Sequence, residues 1–307
     1  MMRAAERIQT LIGPRARPRI SRSLRTVSPL STIIDRWNAE QLAGTSKRLD
    51  LCAAEFAHLL HTSGAQSLHN LVCAEIGAGY VLSHSVVMHL LGARRVIAVD
   101  VQRIAHPASL SRAIGQSVAG IVINILSPFE NRDAIRSRLH RLQDLKRFDF
   151  DVLSRFGIEY VAPLDLARDH IGTALDFVYT NAVLEHVPRE ELPSVLGHVA
   201  QDLTPGGRMI SMVHLEDHRN LATAPFEFLQ ESVHSYNREM QTERGNRVRP
   251  SEWRRLFQGV PGTDVSVFMQ SSRYDRPLPP RIDESIFYTD EEDLRGSHLG
   301  ILLTKKT

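Results

Sequence analysis

The sequence predicts an α/β fold: a doubly wound, mostly parallel sheet of seven strands in one domain, with helical insertions. Three observations predict it. Short apolar segments rich in Val and Ile alternate with segments whose apolar residues recur at helical spacing. One early segment, "VCAEIGAGYV" (72–81), runs straight into a Gly-x-Gly turn, a reversal that lets backbone approach a ligand closely. The two longest interruptions of the alternation both follow strand carboxyl ends, the side where open α/β sheets bind ligands.

The elements follow in order. Residues 31–61 read as helix, with Ile33, Ile34, Trp37, Leu49, Phe56, Leu59 and Leu60 at the apolar positions. "LVCAEI" (71–76) is a buried strand. "SHSVVMHLLG" (83–92) is a helix with Val86, Val87, Leu90 and Leu91 on one side and Gly92 at its end. "RVIAVD" (95–100), "IEYVAPLD" (158–165) and "LDFVYTN" (175–181) are the next strands. Leu192, Val195, Leu196, Val199 and Leu203 share one helical face, and "TPGG" (204–207) breaks that helix. "RMISMVHL" (208–215) is the fifth strand; "TDVSVFMQ" (263–270) and "HLGILLTKK" (298–306) close the sheet.

Residues 102–156 are too long for an ordinary crossover, and Ile135, Leu139, Leu142 and Leu145 mark a helix inside them. Residues 216–262 are polar and helical, anchored by Trp253, Leu256 and Phe257. Both are expected to cap the site as lids or substrate-binding segments. "RYDRPLPPRIDE" (273–284) reads as an irregular loop.

With 307 residues, 42% hydrophobic and 23% charged, the chain can bury a substantial core. No apolar run approaches the roughly 18–20 residues of a membrane-spanning helix. Cys52 and Cys73, both in apolar surroundings, argue against a disulfide scaffold or a cysteine zinc site and suit a reducing, cytoplasmic compartment. The net charge of +2 hides an asymmetry: residues 1–30 carry seven arginines against one acid, Glu6. That segment is expected to be a basic arm ahead of one domain at 31–307. A solvated tail, a weak contact with anionic lipid or nucleic acid, and an organelle transit peptide all fit it. A secretory signal does not, because no apolar core follows the charges. The main body lacks a basic stripe with interleaved aromatics, so no nucleic-acid partner is expected.

The turn itself excludes several ligands. A dinucleotide site would carry a third glycine where Leu82 stands, and a phosphate-cradling loop would end in Gly-Lys-Ser/Thr. Glu75 just before the glycines would repel a pyrophosphate but suits a cationic group, and Asp100 ends the next strand in position for ribose hydroxyls. A positively charged nucleoside fits that pair best.

"AEIGAGYV", "VIAVD", "YVAPLD", "LDFVYTNAVLEHV" and "LTPGGRMISMV" stand in the order of the class I S-adenosylmethionine-dependent methyltransferases. The chain resembles that Rossmann-like family, in its type 11 form, over roughly residues 70–215. The resemblance implies S-adenosyl-L-methionine as cofactor. It implies that Glu75, Gly77 and Gly79 contact the methionine part and that Asp100 binds the ribose. Asp165 would meet the adenine amine, Leu164 or Leu166 would cover the ring, and backbone at Asn181 would hold the amino group. One departure is Val81, where many relatives have a third glycine.

Methyl transfer needs alignment above all, and a base only when the acceptor loses a proton. Candidates follow the fourth and fifth strands: Glu185 and His186 in "LEHVP", and His214, Asp217 and His218 in "VHLEDH". One reading makes His218 or His214 a base oriented by Asp217, with His186 nearby; another makes these residues structural or substrate-orienting. A third is a metal site of Glu185 and His186 with His214 or His218, since the Glu-His pair is similar to that of some metal-assisted relatives. Those relatives carry another acid where this chain has Ala182. His58, His84 and His198 read as core or surface residues. Arg247 and Arg249, before a helix capped by Ser251, suit either an acidic substrate or a solvated helix start. A narrower resemblance, to bacterial methyltransferases of surface-glycan or secondary-metabolite pathways, points to O-methylation of a small molecule or saccharide. The alternatives are a protein or RNA methyltransferase and a non-catalytic cofactor-binding regulatory subunit.

Overall fold

A computed structural model describes residues 30–65, 67–145 and 148–307. The arginines of the basic arm lie outside the described residues. Seven strands form one sheet: β1 (Val72–Ile76), β2 (Arg95–Val99), β3 (Ile158–Val161), β4 (Leu175–Asn181), β5 (Leu203–His214), β6 (Thr263–Ser272) and β7 (Gly296–Lys305). Their order is β3-β2-β1-β4-β5-β7-β6. The first five pair in parallel, and β7 runs antiparallel between β5 and β6. The expected doubly wound, mostly parallel sheet is therefore present. Its strand order reverses between β1 and β4, which opens a crevice at their carboxyl ends.

Some boundaries differ from the sequence expectation. Residues 31–61 form two helices, α1 (Leu30–Gly44) and α2 (Leu49–Thr62). Between them Lys47 N donates to Leu42 O at 2.8 Å, a turn that closes the first helix. β3 stops at Val161, ahead of Pro163, which has no N–H to continue a ladder. "TPGG" lies inside β5 rather than before it. Leu203 already pairs with Leu175, and the register shift that follows takes up the glycines as a bulge, Gly206 having φ +78°.

α3 (Ser83–Leu90) follows the Gly-x-Gly turn. The first insertion holds α4 (Pro107–Gly115), α5 (Ala119–Leu126), α6 (Arg132–Gln143) and α7 (Phe150–Arg155). Leu110, Val122, Leu126, Ile135 and Leu139 share one core with Phe56 and Leu60 of α2 and Val86 of α3. This corrects the expectation of a cap: the apolar stripes of these helices are buried on one sheet face, because that is where α2 and α3 offer apolar surface. Only the start of the insertion stays at the strand ends, where Ile104 N and Ala105 N donate to the Tyr160 hydroxyl at 3.1 and 3.2 Å.

α8 (Leu192–Asp202) and α10 (Pro250–Gln258) cover the other face through Leu192, Val195, Val199, Trp253 and Phe257. The second insertion, with α9 (Arg238–Arg244), builds a small third core. Phe226, Phe228, Leu229 and Tyr236 pack there with Ile286 and with Leu294 of α11 (Glu291–Leu294). Leu278 and Ile282 from the Pro-rich loop join it. Among the described residues no single helix is long and apolar enough to cross a membrane.

Candidate active site

A cavity of about 270 Å³ lies at the reversal between β1 and β4. Gly77, Asp100, Leu164, Asp165, Leu166, Val183 and His186 line it, so four of the predicted cofactor residues (Gly77, Asp100, Asp165 and Leu166) meet in one place. A larger cavity of about 430 Å³ lies between α8 and α10 in the flanking helical layer, lined by Arg189, Pro193, Glu252 and Leu256. It carries none of the predicted site residues.

The turn after β1 has to be glycine at Gly77. The residue sits at φ +73°, and a Cβ there would lie 2.3 Å from Val183 Cγ2. Gly79, at φ +63°, donates its N–H to Asp100 Oδ2 at 2.9 Å, and Gln102 N donates to Oδ1 at 2.9 Å. A carboxylate oxygen accepts more than one hydrogen bond, so both keep capacity for a ligand. Burial pushes the Asp100 carboxyl above its usual range, against the pull of those backbone donors. Asp165 accepts from Ala167 N at 3.0 Å and Arg168 Nη1 at 2.7 Å. The missing third glycine does not break the turn: Leu82 adopts φ +60° itself, and Val81 is buried in the core under α3.

Glu75 and Asn181 lie elsewhere than expected. Strand alternation puts Cys73 on the α2/α3 face, and Glu75 shares that face, behind the turn and not lining the cavity. There Ser85 Oγ donates to the Glu75 carboxylate and His84 Nδ1 lies 3.4 Å from it. His84 Nε2 in turn lies 3.0 Å from Glu55 Oε2 on α2. Asn181 lies near Glu55 and is not among the residues lining the cavity. His84 is thus a bridge between two acids. Burial works against its charge, but contacts with Cys52, Glu55 and Glu75 hold it well above the ordinary imidazole value. Burial would also raise Glu55, yet His84, Asn181 and Lys47 bring it down to about 2. Glu55 was not among the sequence candidates. Its one signal is a lone acid beside Phe56 in an otherwise apolar helical stretch.

The histidines form a second group, which meets the cavity through His186. His214 Nδ1 lies 3.2 Å from His218 Nε2, and His214 Nε2 lies 3.0 Å from Glu216 Oε2. The His186 and His218 rings meet edge to face at 4.5 Å, and His298 stacks on His214 at 4.7 Å. Asp217, expected to orient the base, does not. It is fully buried and ion-paired with Arg244 at 2.6 Å. Glu216 takes its place, because the turn after β5 directs the two neighbouring acids oppositely. His298 was also missed, since it reaches His214 only through the antiparallel β5–β7 pairing.

Burial, reinforced by the His186 and His214 charges, lowers His218 to about 3 from an ordinary 6.5. Burial also lowers His186 and His298. It raises Glu185 to about 8 from 4.5. The signs oppose each other. Below about 6.5 the unfolded chain takes up protons that the buried imidazoles refuse, so stability falls as pH drops. The Glu185 contribution is present below about 4.5 and is lost as pH rises through 8. In chelator, the urea midpoint of the wild type is expected to fall between pH 6 and 9, while Glu185→Gln stays flatter over that range. Parallel curves would refute the assignment of the alkaline loss to Glu185.

Arg249 is structural: it is fully buried and donates to the carbonyls of Leu215, Leu294 and Gly296 at 2.7, 3.1 and 2.6 Å. Arg247 donates to Phe228 O and lies 4.0 Å over the Tyr236 ring. Arg249 has no free fork for an acidic substrate, whereas Arg247 commits Nη1 alone, to two carbonyls. Ser251 is not the cap of α10 either: Arg249 occupies that position, and Asp293 accepts from Ser251 N at 2.7 Å.

No family model matches the chain, and no curated protein does. Among solved structures it is similar to magnesium protoporphyrin IX methyltransferase from Synechocystis PCC 6803 with bound SAH (15% identity, TM-score 0.43, covering 84% of this chain and 83% of that one). It is also similar to an O-methyltransferase family protein from Burkholderia thailandensis (14%, TM-score 0.45, 91% and 62%). A third is the N-methyltransferase NodS from Bradyrhizobium japonicum WM9 (10%, TM-score 0.39, 82% and 95%).

Proposed function

We propose that the chain is an S-adenosylmethionine-dependent methyltransferase that methylates a small molecule or saccharide at oxygen. The observation that carries this reading is the convergence of Gly77, Asp100, Asp165 and Leu166 on one cavity whose far wall is His186. The residues suit the cofactor. Asp100 keeps acceptor capacity for two ribose hydroxyls, and Leu164 and Leu166 offer apolar walls to a ring. Gly77 brings backbone where a side chain would not fit. Bound there, S-adenosyl-L-methionine would supply an activated methyl group.

The chain's own residues do the rest. Glu55 and Glu75 stand behind the turn with His84 between them and brace it from that side. An acceptor hydroxyl entering beside His186 would stand next to His218; burial lowers His218 to about 3, which makes it a weak base and suits it to orient the hydroxyl as a neutral hydrogen-bond partner. The second insertion packs on the third core and touches the histidine group through α9, whose Thr242 carbonyl accepts from His186 Nδ1 at 2.8 Å.

Calorimetric titration with S-adenosylmethionine and S-adenosylhomocysteine tests this, with micromolar binding expected. Asp100→Ala removes charged hydrogen-bond acceptors worth about 1.5–3 kcal/mol, so affinity is expected to fall about 10- to 150-fold. Unchanged affinity in that variant would sink the ribose assignment.

A further inference from the structure

We infer that a cavity between α9 and the segment before α11 binds a small organic carboxylate, held by Arg247. The inference stands apart from whether the cavity at the β1–β4 reversal holds the cofactor.

The cavity has a volume of about 350 Å³, and Arg189, Val233, Tyr236, Gln241, Arg247 and Ile286 are among the residues lining it. α9 is the wall between the two sites. Gln241 lines this one, while Arg238 and Thr242 line the other.

Uncommitted charge is the first argument. Arg247 is 7% exposed, and its Nη1 donates to the Phe228 and Glu231 carbonyls. Among the described residues its Nε and Nη2 have no hydrogen-bond partner, and no acid forms an ion pair with it. The neighbouring cations are already satisfied. Arg244 is held by Asp217 and Glu231, and Arg189 by Glu252 and the Ser285 carbonyl. Asp283, the nearby acid, accepts from Ser285 instead. A buried guanidinium left with free donors is costly, and an anion would satisfy it.

Placement is the second. Arg247 sits at φ +65°, a left-handed conformation that a side chain of this size rarely adopts and that functional positions often hold. Asn246 pins the backbone there, its Nδ2 donating to Leu184 O and Val187 O at 3.0 and 2.9 Å. The guanidinium lies 4.0 Å over the Tyr236 ring, which occupies its face and fixes its plane. The Nε–Nη2 edge stays open, and that edge matches a carboxylate as two parallel hydrogen bonds.

The lining selects the class of anion. Val233, which is exposed, lines the cavity with Leu256 and Ile286, so an apolar body is favoured behind the charged end. Glu190 and Glu252 also line it, and two acids disfavour a phosphate dianion more than a monoanion. Gln241 Oε1 accepts from Arg189 N at 2.9 Å, while its amide nitrogen has no partner among the described residues and offers a further donor.

The test titrates the full-length protein into para-fluorobenzoate and reads binding by fluorine NMR. Saturable binding at millimolar concentration is expected, with little competition from para-fluorobenzamide or inorganic phosphate. Arg247→Gln is expected to weaken it about 10-fold or more, since a charged bidentate pair is lost. Arg247 also ties two carbonyls, so Gln241→Glu supplies a variant that spares the fold. It keeps the acceptor for Arg189 N–H and puts a negative charge in the cavity; about a 10-fold loss is expected at an unchanged melting temperature. Full binding in both variants would overturn the site, as would equal competition by the amide or no saturable binding. Tighter binding of phosphate would overturn the carboxylate class. S-adenosylhomocysteine added to the same samples separates the two cavities. Displacement of the probe would put it in the other cavity and overturn this site, and nucleoside binding without probe binding defeats the carboxylate site alone. Probe binding without nucleoside binding defeats the cofactor assignment alone.

Discussion

Gly77→Ala is expected to weaken S-adenosylhomocysteine binding about 100-fold and to lower thermal stability. Two costs add at this position. A non-glycine residue at φ +73° carries left-handed strain of about 1–2 kcal/mol. The new Cβ would also stand 2.3 Å from Val183 Cγ2, an overpacking that costs about 1–3 kcal/mol more. Val183 follows β4 and lines the same cavity, so relief of the clash must distort the pocket itself. Gly79→Ala separates the two terms. At φ +63° it carries the strain, but the nearest atom to its Cβ is the Gly77 carbonyl oxygen at 3.9 Å. About a 10-fold loss is expected there. Gly77→Ala combined with Val183→Ala should recover the packing part and keep the strain. Equal losses in Gly77→Ala and Gly79→Ala, by calorimetry and thermal melts, would show that the contact with Val183 is not limiting.

Asp217→Ala is expected to destabilise the fold by about 3–5 kcal/mol with no selective loss of turnover. Its carboxylate is fully buried against Arg244, and removing one partner of a buried pair leaves the other charge uncompensated. The remaining contact of Arg244 with Glu231 places the cost toward the lower end. Urea unfolding reads the stability, and kcat of the folded fraction reads the chemistry. A fall in kcat at unchanged stability would restore Asp217 as the residue that orients a base. Glu216→Gln gives the contrast, because Glu216 contacts the His214 ring and Asp217 does not.

Together these variants separate the pocket from the histidine group. The first holds the turn that shapes the cavity; the second holds the insertion that carries His218 beside His186. The two groups meet at His186, which lines the cavity and faces His218.

The sequence by itself determined the sheet, the turn and the acids that follow β2 and β3. These are local properties. Apolar periodicity declares strands and helices over a few residues, glycine declares a left-handed turn, and a carboxylate at a strand end is placed by the strand. It was enough to name Gly77, Asp100, Asp165 and Leu166, which line one cavity. Tertiary structure alone decided which acid serves which histidine. The pleat turned Glu75 away from the cavity and toward His84, and α2 brought in Glu55 across 29 positions of sequence. Arg244 claimed Asp217 across 27 positions, and β5–β7 pairing set His298 on His214. Burial then set their charges, since desolvation depends on everything packed around a group. A side chain's partner is fixed by packing between distant segments, and no short stretch of chain encodes that.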